Sequence, residues 1–242
     1  MGKSAKGVDA LIILGIETAS LVSSVALIDS DRLLAELTIE TRKTHSEQLV
    51  PHLEKLLQLA EIDKEKLTGI AVSNGPGSFT GLRIGLATAK AMSYGLKIPI
   101  IGVSTLMGMA YNIQAEGVLL RPLMDAQKGN FYTGLYEIQK GKICVLEEEN
   151  IRSAEEILEI TQANSRMMLL GEGVKMLRDE ILERNLLAQV APPHLRMPRA
   201  ASIAYGALER FQNEDYDNVM DLVPNYIRRS EAEELWEKKQ QA

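Results

Sequence analysis

Residues 74–85, Asn-Gly-Pro-Gly-Ser-Phe-Thr-Gly-Leu-Arg-Ile-Gly, gather the groups of this 242-residue chain best suited to meet a ligand. Glycines let the backbone take positive φ and come close to a bound group, and the free N–H groups at the start of a following helix attract anions. Gly75, Gly77 and Ser78 could therefore cradle a phosphate. The segment is not a Walker loop, because no Gly-Lys-Ser/Thr follows. Nor is it a nucleophile elbow, because Pro76 rather than glycine stands two before Ser78. A tight strand-to-helix turn without a ligand remains the alternative.

Beyond that turn, Gly81, Gly85, Ala89 and the adjacent Thr88 place small side chains on one side of a helix, since residues four apart share a face. Two readings stay open: packing on the chain's own sheet, or docking of a partner helix. Metal chemistry finds little material. The three histidines are His45, His52 and His194. The first two lie about 10 Å apart along a helix axis, too far to share one zinc with bonds of about 2 Å. Asp125 ends an apolar run and suits an Asx turn. The acidic runs at 147–149 and 231–234 read as solvated faces.

The elements that must hold these groups follow from periodicity. Apolar runs at 11–16, 22–28 and 33–39 predict three strands with joins too short for a crossover helix, hence antiparallel neighbours. A helix over 46–60 follows, with Leu49, Leu53, Leu56 and Leu57 on one face, Ser46 as cap and Pro51 near the first turn. Then come strand 69–73, helix 81–94 and strand 98–103. The order recurs: strands 119–124, 131–138 and 142–146, helix 154–160, strand 167–170 and helix 174–182. Strand 187–190, a proline-rich loop at 192–198, helix 200–211 and a charged helix over 230–239 finish the chain. Two βββαβα halves, 1–113 and 114–242, predict the α/β actin, Hsp70 and sugar-kinase architecture, a ribonuclease H-like fold with a ligand cleft between its halves. Residues 1–9 read as a leader outside the fold.

Composition narrows the function classes. Net charge is -6 and the pI about 5.3, which opposes direct binding to polyanions, whose affinity comes largely from neutralised phosphates. Arg228 and Arg229 are a weak nucleic-acid signal. One cysteine, Cys144, excludes an internal disulfide and suits a reducing compartment. No apolar run approaches a membrane span. The expectation is a cytoplasmic protein.

Four blocks carry a resemblance to a known family: Leu14-Gly15-Ile16-Glu17-Thr18-Ala19-Ser20, Thr44-His45-Ser46-Glu47-Gln48-Leu49, the glycine-rich 75–85, and Asp125-Ala126 with Tyr132 and Tyr136, supported by Pro224-Asn225-Tyr226-Ile227-Arg228. Together they resemble the bacterial TsaB (YeaZ) family over nearly the whole chain. The resemblance implies a non-catalytic subunit supporting a TsaD-like enzyme, which forms N6-threonylcarbamoyladenosine at adenosine 37 of ANN-decoding tRNAs, with a TsaE-like ATPase as third component. It implies partner contacts through the amino-terminal helices, here His45, Leu49, Gly81, Gly85, Thr88 and Ala89. A self-dimer through the same face is expected when the partner is missing, since an exposed small or apolar patch tends to be covered, and tRNA contact is expected only through the complex. Glu17, Thr18, Gly75, Gly77, Ser78 and Asp125 would form a vestigial phosphate or nucleotide site. No cofactor or metal of its own is expected, with ATP or ADP entering only in the complex.

Catalytic relatives carry an HxxxH metal pair where this chain has Thr105 and Met109. Active members of the superfamily place aspartate where Glu17 stands, and one extra methylene suits octahedral magnesium poorly. Gln127 precedes Lys128 after Asp125-Ala126, a departure from the basic residues usual there. Two other readings stay open: an autonomous ATPase or kinase of the same fold, and a metallopeptidase.

Overall fold

The computed structural model describes residues 11–40, 44–162, 166–184 and 186–228. The expected leader at 1–9, Arg229 and the charged helix at 230–239 lie outside them.

The first half opens with β1 (Ile13–Glu17), β2 (Val22–Ile28) and β3 (Leu33–Glu40). These form an antiparallel meander with Ile13 opposite Ile28 and Val22 opposite Glu40. Helix α1 (His45–Ala60), β4 (Gly69–Gly75), helix α2 (Phe79–Leu96) and β5 (Ile100–Ser104) follow. Strand β4 lies parallel to β1, and β5 parallel to β4, giving the order β3-β2-β1-β4-β5. The second half repeats this with β6 (Leu119–Asp125), β7 (Asn130–Gln139), β8 (Lys142–Ser153), α4 (Ala154–Gln162), β9 (Met167–Leu170), helices α5 (Gly173–Met176) and α6 (Arg178–Glu183), and β10 (Gln189–Val190). Its sheet, β8-β7-β6-β9-β10, has the same order and the same parallel and antiparallel joins. The duplicated topology anticipated from the apolar runs is therefore present.

Several local expectations need correction. Helix α1 is entered through Thr44 rather than Ser46, and the Thr44 hydroxyl donates to Glu47 Oε2 at 2.9 Å. The 174–182 helix is two short helices broken at Leu177. Strand β8 runs to Ser153, well past 146, because charged residues alternate in and out along it and escape an apolar-run reading. Helix α3 (Thr105–Ala110), capped by Ser104 Oγ accepting from Met107 N at 3.1 Å, was hidden beside β5. Helix α7 (Pro193–Arg196) lies within the proline-rich loop.

Helices α1 and α2 cover one face of the first sheet, where Leu49, Leu53, Leu56, Leu86 and Ala89 meet Leu14, Ile16, Val25 and Val72. The opposite face is covered from far along the chain, by α8 (Ala200–Gln212), whose Ile203, Ala204, Ala207 and Phe211 pack on Ile13, Ala71 and Ile101. Its first turn is held by Ser24 Oγ, which accepts from Ala200 N at 2.9 Å, and by the Glu36 carboxylate, paired with Arg199. A carboxylate there also complements the positive end of the helix dipole. Reciprocally, α3 of the first half packs into the second, with Leu106, Met109 and Ala110 against Leu120, Met124 and Tyr136. The two sheets thus exchange a covering helix. From α8 the chain returns along the first half, where Asp217 N donates to Ile100 O at 3.0 Å and Asn225 N to Asn74 O at 2.6 Å.

Candidate functional site

The carboxyl ends of β1 and β4 bring Glu17, Thr18, Gly75, Gly77 and Ser78 together, as the sequence suggested. Ser78 caps α2 by accepting from Gly81 N at 3.3 Å, and its own N–H goes to Ala19 O at 2.6 Å. Gly75 and Gly77 have φ of 120° and 155°, the former firmly in the region that favours glycine. A side chain at Gly75 would collide with the Asn225 carbonyl oxygen, and one at Gly77 with that of Ala19. Close packing of the turn thus accounts for glycine at 75 and 77 without a ligand, which is the tight-turn alternative.

Thr18 belongs to the same packing. It is fully buried, and its hydroxyl donates to Gly81 O at 2.8 Å. Side chains at Gly81 or Gly85 would collide with the Thr18 carbonyl and hydroxyl respectively. Gly81, Gly85, Ala89 and Leu49 are all buried inside the first half, so these four positions do not present a partner-docking surface. The small residues let α2 approach the turn after β1, which is the own-sheet alternative. Thr88 is half-buried. His45 is half-buried too, bonded through Nε2 to Ser20 O at 2.7 Å. What α1 and α2 expose instead is Val50 (52%), Leu59 (65%) and Tyr94 (76%), together with Ala87 and Ala91.

Glu17 has no solvent exposure. Its Oε1 accepts from Ala19 N at 2.6 Å, whereas Oε2 is buried without a partner. Burial, with a smaller contribution from the nearby Glu172, raises its pKa to about 7 against the opposing hydrogen bonds from Ala19 and Ser73. Glu172, before α5, is raised as well, by burial first, with Asp125 adding to the shift. Asp125 itself is exposed, and its Oδ1 accepts from Gln127 N at 2.7 Å, an Asx turn. Among the described residues no three His, Cys, Asp or Glu side chains converge as a metal site requires.

Sequence reasoning missed two constellations. Glu147 and Glu149 are not a solvated face. Glu147 pairs with the buried Arg121 and with Arg152, both at 2.7 Å, and these partners hold its pKa down to about 2 against the cost of burial. Glu149 accepts from Tyr136 Oη at 2.9 Å and from Ser104, beside a cavity of about 210 Å³ lined also by Met107, Val145, Asn225 and Ile227. The alternation of 147 and 149 on a strand was the available signal. The second constellation is a surface stack: Phe79 and Tyr226 lie 4.6 Å apart, and the Arg83 guanidinium sits 3.8 Å over Phe79 and donates to Tyr226 Oη.

Two lobes of matching topology that exchange helices define an actin-like ASKHA fold. Comparison with known proteins agrees. Two Pseudomonas aeruginosa structures, described as YeaZ and as similar to the peptidase YeaZ, superimpose with TM-scores of 0.75 and 0.77 at 23% identity, covering 89% and 90% of this chain. The family model for TsaD, tRNA N6-adenosine threonylcarbamoyltransferase, matches residues 33–236. The tRNA threonylcarbamoyladenosine biosynthesis protein TsaB of Bacillus subtilis is 31% identical over 93% of this chain and 98% of its own length. The TsaB of Escherichia coli is 29% identical over 93% and 97%. The chain belongs to the TsaB (YeaZ) family. Among the described residues no helix is long and apolar enough to cross a membrane.

Proposed function

We propose that this protein serves tRNA threonylcarbamoyladenosine biosynthesis as a non-catalytic subunit that binds and supports a TsaD-like enzyme, with a TsaE-like ATPase as third member. The observation that carries this reading is the contrast between the two surfaces of the first half. At the end of β1 the turn packs on the chain's own carbonyls beside a buried Glu17, whose pKa burial raises to about 7. Helices α1 and α2 expose Val50, Leu59, Ala87, Ala91 and Tyr94, the last three on one face of α2, apolar area that association would cover. Partner contact is thereby reassigned from the small-residue face to these outward positions. Support also comes from the match of 101 residues of this chain, at 36% identity, to the tRNA N6-adenosine threonylcarbamoyltransferase of Geotalea daltonii: a subunit related to the enzyme it binds can pair like with like. For the same reason a self-dimer through this side is expected when the partner is absent. ATP or ADP, on this reading, belongs to the assembled complex, and the net charge of -6 leaves the main tRNA contact to the partners.

Co-purification with a TsaD-like protein, then reconstitution of tRNA modification with and without this chain, tests the proposal. Modification that depends on the chain, with no turnover by the chain alone, is the expected result. Steady-state ATP hydrolysis by the isolated chain, abolished in Glu17→Ala, would establish the autonomous ATPase instead.

A further inference from the structure

The cavity beside Glu149 takes no residue from α1 or α2, where partner contact is placed. Three segments wall it: Met107 of α3, then Tyr136, Val145 and Glu149 of the β7–β8 hairpin, and Asn225 and Ile227 of the returning chain. Its volume is about 210 Å³, below the roughly 300–1,000 Å³ of pockets that take drug-sized ligands. At about 30 Å³ for each water in the liquid, it suits a molecule of a few heavy atoms and is too small for a nucleotide. The Glu149 carboxylate is held in a fixed orientation. Its Oε1 accepts from the Tyr136 hydroxyl at 2.9 Å and from the Ser104 hydroxyl, whose oxygen in turn accepts from Met107 N at 3.1 Å. That leaves Oε2, which the Asn225 amide reaches at 3.5 Å, longer than a good N–H···O bond.

Both groups that bond Oε1 are neutral, and Glu148, also in the wall, adds charge of the same sign. Arg228, close by in sequence, turns its guanidinium to Ala126 O. Burial, with Glu148 adding to it, pushes the Glu149 carboxyl above its ordinary value, as expected of a carboxylate drawn partly out of water without a counter-charge. We propose that this cavity binds a short alkylammonium ion, with its head on Glu149 Oε2 and its stem against Met107, Val145 and Ile227. The N–H···O bond to Oε2 is charge-assisted, about twice as strong as a neutral one. The unbranched Met107 side chain adapts its wall to the stem. The site is independent of the proposed partner role and operates in the isolated chain.

Titration of n-butylammonium chloride into the full chain, followed through the carbon-13 methyl resonance of Met107, tests the proposal. The expected result is a saturable shift of that resonance with a millimolar Kd. Butyrate, with a similar stem and the opposite charge, should leave it unmoved. Glu149→Gln keeps an oxygen for Ser104 and Tyr136 but removes the charge, and should weaken binding about tenfold or more. Val145→Trp changes an exposed wall residue, leaves Glu149 in place and should weaken binding as much by filling the cavity. Circular dichroism checks that both variants fold, and Val145→Trp carries the test if Glu149→Gln does not. A Met107 methyl that ignores butylammonium, an equal response to butyrate, or undiminished binding in the folded variants would overturn the proposal.

Discussion

Thr18 Oγ1 donates to the carbonyl oxygen of Gly81 at 2.8 Å, and the same hydroxyl lies where a side chain on Gly85 would have to go. The turn after β1 and the first turns of α2 are therefore one packed unit. Gly85→Ala should destabilise the monomer by about 1–3 kcal/mol, the usual range for an overpacked site. In a Thr18→Ala background the loss should shrink, because the obstructing hydroxyl is gone. Urea unfolding of the four proteins of this double-mutant cycle measures the coupling.

Outward substitutions should behave oppositely. Val50→Asp and Ala87→Asp change exposed positions on α1 and α2, so the melting temperature should hardly move. Affinity for a TsaD-like partner should fall at least tenfold, about 1.4 kcal/mol, by calorimetric titration. Unchanged affinity in both would remove this side from the interface.

Stability should fall as pH rises through the weakly acid range. The Glu17 pKa is raised from 4.5 to about 7 on folding, so between these values the native state binds more protons than the unfolded state and the slope of unfolding free energy against pH is negative. The loss is absent below about pH 4.5 and complete above about pH 7, amounting to about 3 kcal/mol. Glu17→Gln should flatten this window. Glu147, held at about 2, acts the other way, giving stability that is present above its unfolded pKa and lost as pH falls towards 2. Thermal melts from pH 3 to 8 read both limbs.

Arg121 is 1% exposed and relies on Glu147 for its charge partner. Glu147→Ala leaves that guanidinium buried and unpaired, and should cost about 3–5 kcal/mol. Replacing both residues, Arg121→Met with Glu147→Leu, should recover most of the loss in equilibrium unfolding.

The lobes were legible from the sequence because apolar runs and short joins fix antiparallel meanders, and Gly75 and Gly77 announced the turn before α2. The direction in which α2 turns its glycines was not, since Gly81, Gly85 and Ala89 suit a close neighbour of either origin. Only the position of Thr18, 63 residues before Gly81, decides it. The Glu147 pairing was equally hidden, because its main partner Arg121 sits in an apolar-looking strand two strands away. Glu172 escaped notice because nothing local marks the carboxylate of a lone glutamate between two glycines as shielded from solvent.

The exchange of α3 and α8 between the lobes bears on biosynthesis. One face of the first sheet is covered by residues 200–212, so during translation that half emerges with a bare apolar side and waits for almost all the remaining chain before it is sealed. Neither fragment made by cutting at 113/114 would own a complete hydrophobic interior. Each would need its sister added back to become a stable solute, which makes the molecule a single folding unit despite its doubled pattern.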